Sequence, residues 1–311
     1  ARMIAIILAT LGLASSLYFV YLQIFIIQAI CPFCMLSATI CTILFFSIRG
    51  VFRTERKLLF LRMLAFIYRT IIKPTLFTIN PEKVHLAATD TGEVIAKYAL
   101  SRWFMQKIYG YKNKALTQSI VGCTFENPIG LAAGFDYEAR LTKLTPALGF
   151  GFETIGTITH HPYKGNPSPM FGRLPKSKSL MVNKGFKNNG ASKTAQKLAT
   201  ASFNLPLGIS IGRTNTPRLN TVKQQIADIC SAFIVFEKMK IQHSYYELNI
   251  SCPNLSGSIS FYTSANLTML LQGIDNLSLS KPLFVKMPIE QSDTKMKNLL
   301  SIIATHSPTG V

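Results

Sequence analysis

Hydrophobic patterning divides this chain into two regimes. Residues 3–30 and 32–48 contain no charged side chain. Each run approaches or exceeds the roughly 20 residues that a helix needs to cross a bilayer. A tight turn at residues 29–32 separates them, and Pro32 suits the first turn of a second helix. The pattern predicts a transmembrane hairpin. Residues 58–72 are apolar with Arg62, Arg69 and Lys73 spaced along them, which fits an amphipathic helix in a membrane interface that ends at Pro74. Asn80 and Pro81 then read as N-cap and first helical residue. The helix they open is predicted to reach about Tyr109, with Leu86, Val94, Ile95, Leu100 and Phe104 on its apolar face. From Ser119 the texture changes. Strands are predicted over residues 129–133, 153–157, 207–211, 245–250 and 283–287, and helices over 191–201, 221–239 and 266–277. Alternation of this kind predicts a parallel sheet. Polar or Gly-rich groups follow each strand: Gly134-Phe135-Asp136, residues 157–161, Gly212-Arg213, residues 251–254 and Lys286. Repetition after strand ends points to a barrel with its site on the C-terminal face. A dinucleotide-binding fold is the alternative, but no Gly-x-Gly-x-x-Gly follows the first strand.

Charge sharpens the membrane reading. Of 311 residues, 33 are Lys or Arg and 14 are Asp or Glu, a formal charge of +19. The basic residues are scattered, which favours a basic surface facing a membrane over a nucleic-acid site. Arg2 precedes the first apolar run, and Arg49, Arg53, Arg56 and Lys57 follow the second. By the positive-inside rule both ends of the hairpin face the cytoplasm, which places the chain in the inner (cytoplasmic) membrane with the barrel on its cytoplasmic side. A cleaved signal peptide fits poorly, because the first run is too long and a second follows at once. Among six cysteines only Cys31 and Cys34 are closely paired, which argues against a disulfide framework. Cys31-Pro32-Phe33-Cys34 at a helix start suits thiol–disulfide exchange. Two incidental apolar cysteines are the plain alternative, and no second ligand pair lies nearby, so no metal is expected. Neither Ala1 nor Val311 reads as a natural terminus, so the chain is expected to be a fragment.

The densest chemistry lies in Tyr245-Tyr246-Glu247-Leu248-Asn249-Ile250-Ser251-Cys252-Pro253-Asn254. Pro253 cannot donate to a ladder, so the strand ends before it. Asn249, Cys252 and Asn254 then stand at a strand's carboxyl end and in the loop beyond. A thiol between two carboxamides can take a proton beside a polar planar substrate; an inert buried cysteine before a turn is the simpler reading.

Taken with Asn127-Pro128-Ile129-Gly130-Leu131-Ala132-Ala133-Gly134-Phe135-Asp136, Gly156-Thr157-Ile158-Thr159, Asn183-Lys184-Gly185-Phe186 and Val285-Lys286, this stretch resembles the dihydroorotate dehydrogenases, flavin enzymes of pyrimidine synthesis on a (β/α)8 TIM barrel. Asn80-Pro81-Glu82 with His85, after an amphipathic segment, looks like the quinone-linked class. The resemblance implies FMN approached by Ala133, Gly134, Asp136, Thr157, Asn249 and Lys286. It implies dihydroorotate held by Asn183, Phe186, Asn249 and Asn254, with Cys252 as general base, and His85 as a quinone-site candidate. The base position carries Cys, as in soluble members, on a body of the membrane class. Tyr137 stands where the family usually has a Lys, with Arg140 or Lys143 as compensating cations. Ser210 replaces a frequent Asn, and Met170 stands near a frequent Arg. The later barrel strands are expected beyond Val311, leaving an incomplete barrel of about five strands. Residues 11–48 resemble the last two helices of the vitamin K epoxide reductase family, with Cys31 and Cys34 as the redox pair. The expected organisation is a transmembrane hairpin over 1–52, a membrane-associated helical segment over 53–118 and a partial FMN-binding barrel over 119–311. The leading expectation is a membrane dihydroorotate dehydrogenase. A thiol–quinone oxidoreductase and a non-catalytic fragment are its competitors.

Overall fold

The computed structural model describes residues 2–27, 32–257, 259–288 and 290–306. It divides into two units, Ala1–Thr78 and Ile79–Val311. In the first, helix α1 (Arg2–Tyr21) continues as a π turn over Leu22–Ile27 and packs against α2 (Pro32–Ile67). Gly12 faces Cys41, whose Sγ lies 3.8 Å from where a Cβ would stand, so the backbones approach closely there. Ile7–Ile26 is 20 residues long and apolar enough to cross a membrane; the described apolar helix Met35–Phe46 is shorter.

Two expectations about this unit change. The second apolar run and the amphipathic segment are one continuous helix, because Arg, Glu and Lys between them are good helix formers and no proline intervenes. Pro74 does not end the stretch. It sits in the first turn of the short helix α3 (Lys73–Phe77), directly after a π turn over Tyr68–Ile72. A widened turn at that point accommodates a ring that would otherwise clash with the carbonyl four residues back.

The second unit opens with α4 (Pro81–Lys97), capped by Asn80, whose Oδ1 accepts from Glu82 N at 2.8 Å. The predicted single helix to Tyr109 is two. Tyr98 is extended (φ −97°, ψ 131°), and α5 (Ala99–Tyr109) starts anew. The Ser101 hydroxyl and the Arg102 guanidinium reach back to the carbonyls of Ile95 and Ala96, satisfying the end of α4. A short hairpin of β1 (Gln118–Ile120) and β2 (Cys123–Phe125) follows.

The central sheet is parallel and five-stranded among the described residues. It comprises β3 (Gly130–Leu131), β4 (Phe152–Ile158), β7 (Leu207–Ile211), β8 (Tyr245–Asn249) and β9 (Leu283–Lys286), each beside its predecessor in the sheet. Between β4 and β7 runs a second antiparallel hairpin, β5 (Phe171–Leu174) with β6 (Ser179–Val182), which the patterning does not predict. Helices α6 (Ala191–Ala199), α7 (Val222–Met239), α8 (Ser264–Asp275) and α9 (Asp293–Ala304) cover one face. On that face Ile155, Ile209, Leu248 and Val285 pack against Phe233, Phe236, Leu267 and Leu271, all buried. Each such side chain contributes about 1.5–3 kcal/mol.

The opposite face presents Thr154, Tyr245, Glu247, Phe284 and Lys286 to a cavity of about 580 Å³. At its strand-start end Phe125 meets Phe152 and Tyr245, with ring centroids 5.2 and 6.3 Å apart. Gly208 lies beneath Tyr245, where a Cβ would stand 2.2 Å from the ring, so only glycine fits. The hairpin β1–β2 thus packs at one end of the sheet, and polar chemistry collects at the other.

Candidate active site at the strand ends

Parallel strands end together, so side chains from different strands line up across their carboxyl ends. Thr157 Oγ1 lies 3.0 Å from Ser210 Oγ and accepts from Asn249 Nδ2 at 2.7 Å. Asn249 Oδ1 accepts from the N–H and hydroxyl of Ser251 at 3.2 and 3.0 Å. Lys286 stands opposite Asn249 in the register of β8 and β9. Thr157, Asn249 and Lys286 are therefore brought together, with Ser210 completing a row across four strands. Gly134 joins its end: its N–H donates to Gly156 O at 2.7 Å, its φ is +107°, and nothing lies within 4 Å of a Cβ built there. Ala133 is half-buried beside it. An open glycine surface, hydroxyl and amide groups in a row, and a lysine at the far end fit the polar edge of a planar flavin.

Asp136 does not join the row through its side chain. Its carboxylate accepts from Arg140 N at 2.8 Å and Leu141 N at 2.6 Å, tying down the following loop. Beside it lies Glu153, fully buried, with neither carboxyl oxygen paired. Burial first, and then the neighbouring Asp136, push the Glu153 carboxyl up to about 8.

Cys252 lines a second cavity of about 470 Å³ with Arg213, Asn249, Tyr262 and Lys286. Burial raises its thiol above the ordinary range, while the Asn254 backbone N–H, Lys286 and Arg213 pull it down. The loop after Cys252 is clamped from β7. Arg213 donates through Nη2 to Ser256 O, and Asn215 Oδ1 accepts from Ser256 N at 2.7 Å. Asn183 and Asn254 meet through a residue the sequence reading did not single out. Asn166 Nδ2 donates to Asn183 Oδ1 at 2.8 Å and to Asn254 O at 3.0 Å. Phe186, at φ +63°, lays its ring against Gly212 at the end of β7.

His85 belongs to a separate aromatic cluster. Its ring stacks on Tyr137 at 5.9 Å and meets Phe135 edge-on at 5.2 Å and Phe171 at 5.4 Å. The Lys184 ammonium sits 3.9 Å from the Tyr137 ring centre, 4.3 Å from that of Phe171 and 3.4 Å from His85 Nε2. Burial, with Lys187 adding to it, pushes Lys184 down to about 8; burial and Lys184 push His85 down to about 4, so His85 is neutral at physiological pH. The cations beside Tyr137 are Lys184 and, at 6.0 Å, Lys187. Arg140 instead pairs with Asp90 at 2.6 Å and Glu93 at 2.5 Å, and Lys143 is exposed. Cys31 lies outside the described residues, as does the side chain of Cys34.

A sheet that grows strand by strand, with its polar row at the strand ends, defines a β/α barrel-type body. The family model for dihydroorotate dehydrogenase matches residues 115–309, and that for the vitamin K epoxide reductase family matches residues 1–48. A dihydroorotate dehydrogenase (quinone) of Chloroflexus aurantiacus is 33% identical over 261 residues, covering 79% of this chain and 70% of that protein. One of Cyanothece is 30% identical over 259 residues, covering 79% and 68%. The fold is similar to that of an Eimeria tenella dihydroorotate dehydrogenase crystallised with ferulenol, with TM-score 0.58 and 23% identity over 74% of this chain and 66% of that one. The chain belongs to the dihydroorotate dehydrogenase family.

Proposed function

We propose that this protein oxidises dihydroorotate to orotate in pyrimidine biosynthesis, with FMN bound at the strand ends and a membrane quinone as electron acceptor. The observation that carries the reading is the row Thr157, Ser210, Asn249 and Lys286, with Cys252 and the carboxamides of Asn183 and Asn254 beside it. FMN, when bound, accepts the hydride that leaves C6 of the substrate. Everything else falls to the chain. Cys252 removes the proton from C5, and Asn183, Asn254 and Phe186 hold the ring. Lys286 offsets negative charge that develops at the row's end. Of the flavin contacts expected from sequence, Asp136 does not offer its carboxylate, which is committed to the N–H groups of Arg140 and Leu141. His85, itself uncharged, and its aromatic neighbours form an aromatic surface beside the Lys184 ammonium, suited to a quinone ring and its carbonyl oxygens.

Purified protein loaded with FMN should reduce a short-chain quinone only when dihydroorotate is present. Bound flavin without dihydroorotate-dependent quinone reduction would rule the reading out. The hairpin supports placement in the cytoplasmic membrane with the body on the cytoplasmic side, because Arg2 precedes the first apolar run and Arg49, Arg53, Arg56 and Lys57 follow the second.

The match of residues 1–48 supports a second reading, in which Cys31 and Cys34 exchange electrons with the same quinone pool. Membranes carrying the Cys31→Ser, Cys34→Ser double variant should keep dihydroorotate-dependent quinone reduction and lose the dithiol-dependent rate. Equal dithiol-dependent rates in variant and wild type would remove this second reading.

A further inference from the structure

Carboxamides are ambiguous recognition groups, because either edge can face a ligand. Here the ambiguity is resolved by groups with only one possible role. A backbone N–H can only donate, and Ser256 N donates to Asn215 Oδ1 at 2.7 Å. Asn215 must therefore turn its Nδ2 outward, where it donates to Asn166 Oδ1 at 2.9 Å. The Tyr163 hydroxyl donates to the same oxygen at 2.6 Å. Asn166 is left with its Nδ2, which donates to Asn183 Oδ1 at 2.8 Å and to the main-chain oxygen of Asn254 at 3.0 Å. Its hydrogen-bonding capacity is then full: two bonds accepted and two donated. Turning any one amide over would set donor against donor along the chain.

Two consequences follow at the pocket. Asn183 has its oxygen engaged, so its Nδ2 is the edge left for a ligand. Asn254 donates its Nδ2 to Val182 O at 2.8 Å, and a carbonyl can only accept, so its Oδ1 is the edge left over. The arrangement needs room at its centre, and Gly185 supplies it. A Cβ there would stand 2.4 Å from Asn166 Oδ1 and 2.6 Å from Asn215 Nδ2.

We infer that Asn166 is a positioning residue of the substrate pocket: it turns Asn183 so that its Nδ2 is the donor edge, and it holds the main chain of Asn254, whose acceptor edge Val182 leaves over, in place towards a ring that carries a carbonyl beside an N–H. The inference rests on the pocket assignment proposed above. It makes the protein selective for cyclic imides with a free N–H. A ring methylated at that nitrogen would cover the Asn254 oxygen without giving it a donor, and an acceptor left unpaired beneath a ligand costs more than a bond is worth.

The test compares orotate with 3-methylorotate, which carry the same charge, by calorimetric titration of the FMN-loaded protein. Wild type should bind orotate more tightly by about tenfold or more. Asn166→Asp keeps the oxygen that accepts from Tyr163 and Asn215 and removes both donors. It should bind orotate about tenfold more weakly than wild type near neutral pH and shrink the preference between the two ligands to about threefold or less. Its KM for dihydroorotate should rise while kcat changes little. Lowering the pH towards the ordinary Asp range of about 3.9 should restore part of the orotate affinity, because a protonated carboxyl can donate to Asn183 again. Should that variant fail to retain FMN, Asn215→Asp keeps the bond from Ser256, removes the donor to Asn166 and should give the same loss of selectivity. Unchanged ligand preference in the variant that retains FMN overturns the inference. Failure of the wild type to bind orotate at all would instead overturn the pocket assignment.

Discussion

Cys252→Ala should lose dihydroorotate oxidation by about 10²–10⁴-fold, the usual contribution of a positioned general base, while retaining FMN. The thiol lines a cavity with Arg213 and Lys286 and is not needed for the core. Burial holds it above its ordinary range, against the pull of Asn254 N–H, Lys286 and Arg213. Wild-type turnover should therefore rise with pH through the thiol's titration, because only the thiolate can accept the C5 proton. Cys252→Ser should keep part of the rate with a limb displaced further to alkaline pH, since a hydroxyl ionises later than a thiol. Steady-state rates from pH 6 to 10 on the three proteins check this, together with iodoacetamide inactivation and its suppression by orotate. Wild-type rates in Cys252→Ala would mean that another group takes the proton.

Glu153→Gln should make the protein more stable in alkali and remove most of a pH dependence that wild type shows. Glu153 sits on β4 facing the covering layer, fully buried, with neither carboxyl oxygen paired. Its carboxyl is pushed up to about 8, first by burial and then by Asp136. The sign follows from linkage. Between an unfolded value near 4.5 and the folded one, the folded chain holds a proton that the unfolded chain has lost. Stability therefore falls as pH rises through that window, by up to about 1.4 kcal/mol per pH unit, and levels off above it. A neutral carboxamide of the same shape escapes the loss. Urea unfolding of the FMN-free protein at pH 5, 7 and 9 would read the effect. Parallel pH dependences in variant and wild type would place the Glu153 proton elsewhere.

Much of the sheet is legible from sequence because its signals are local. β7 coincides with the predicted run of residues 207–211, and β8 and β9 each stop one residue earlier than predicted. Pro253 after Cys252 and Gly134 after β3 mark strand ends without help from distant residues. The hairpin β5–β6 escapes the same reading. Its strands are four residues long, contain no buried residue, and are joined through Lys178 at φ +52° rather than by a glycine. The break at Tyr98 escapes because a tyrosine carries no stop signal; the helix ends there through the reach of Ser101 and Arg102. The candidate site divides along the same line. Thr157, Asn249, Cys252 and Lys286 sit in motifs, and the structure brings them into one neighbourhood. Asn166, Asn215 and Lys184 acquire meaning only when loops distant in sequence converge. Arg140 looked like a spare cation from sequence, and its commitment to Asp90 and Glu93 spans nearly fifty residues.

The strand order β3-β4-β7-β8-β9 also bears on how the body is made. Every strand after the first finds its neighbour already synthesised, and α6 to α9 pack each against the next. No strand in this series must wait for one still inside the ribosome. Assembly can keep pace with translation, each new β/α unit capping the exposed edge left by the last. Growth from the amino-terminal side limits how long an unpaired parallel edge is open to other chains, the hazard that makes slow parallel sheets prone to aggregate.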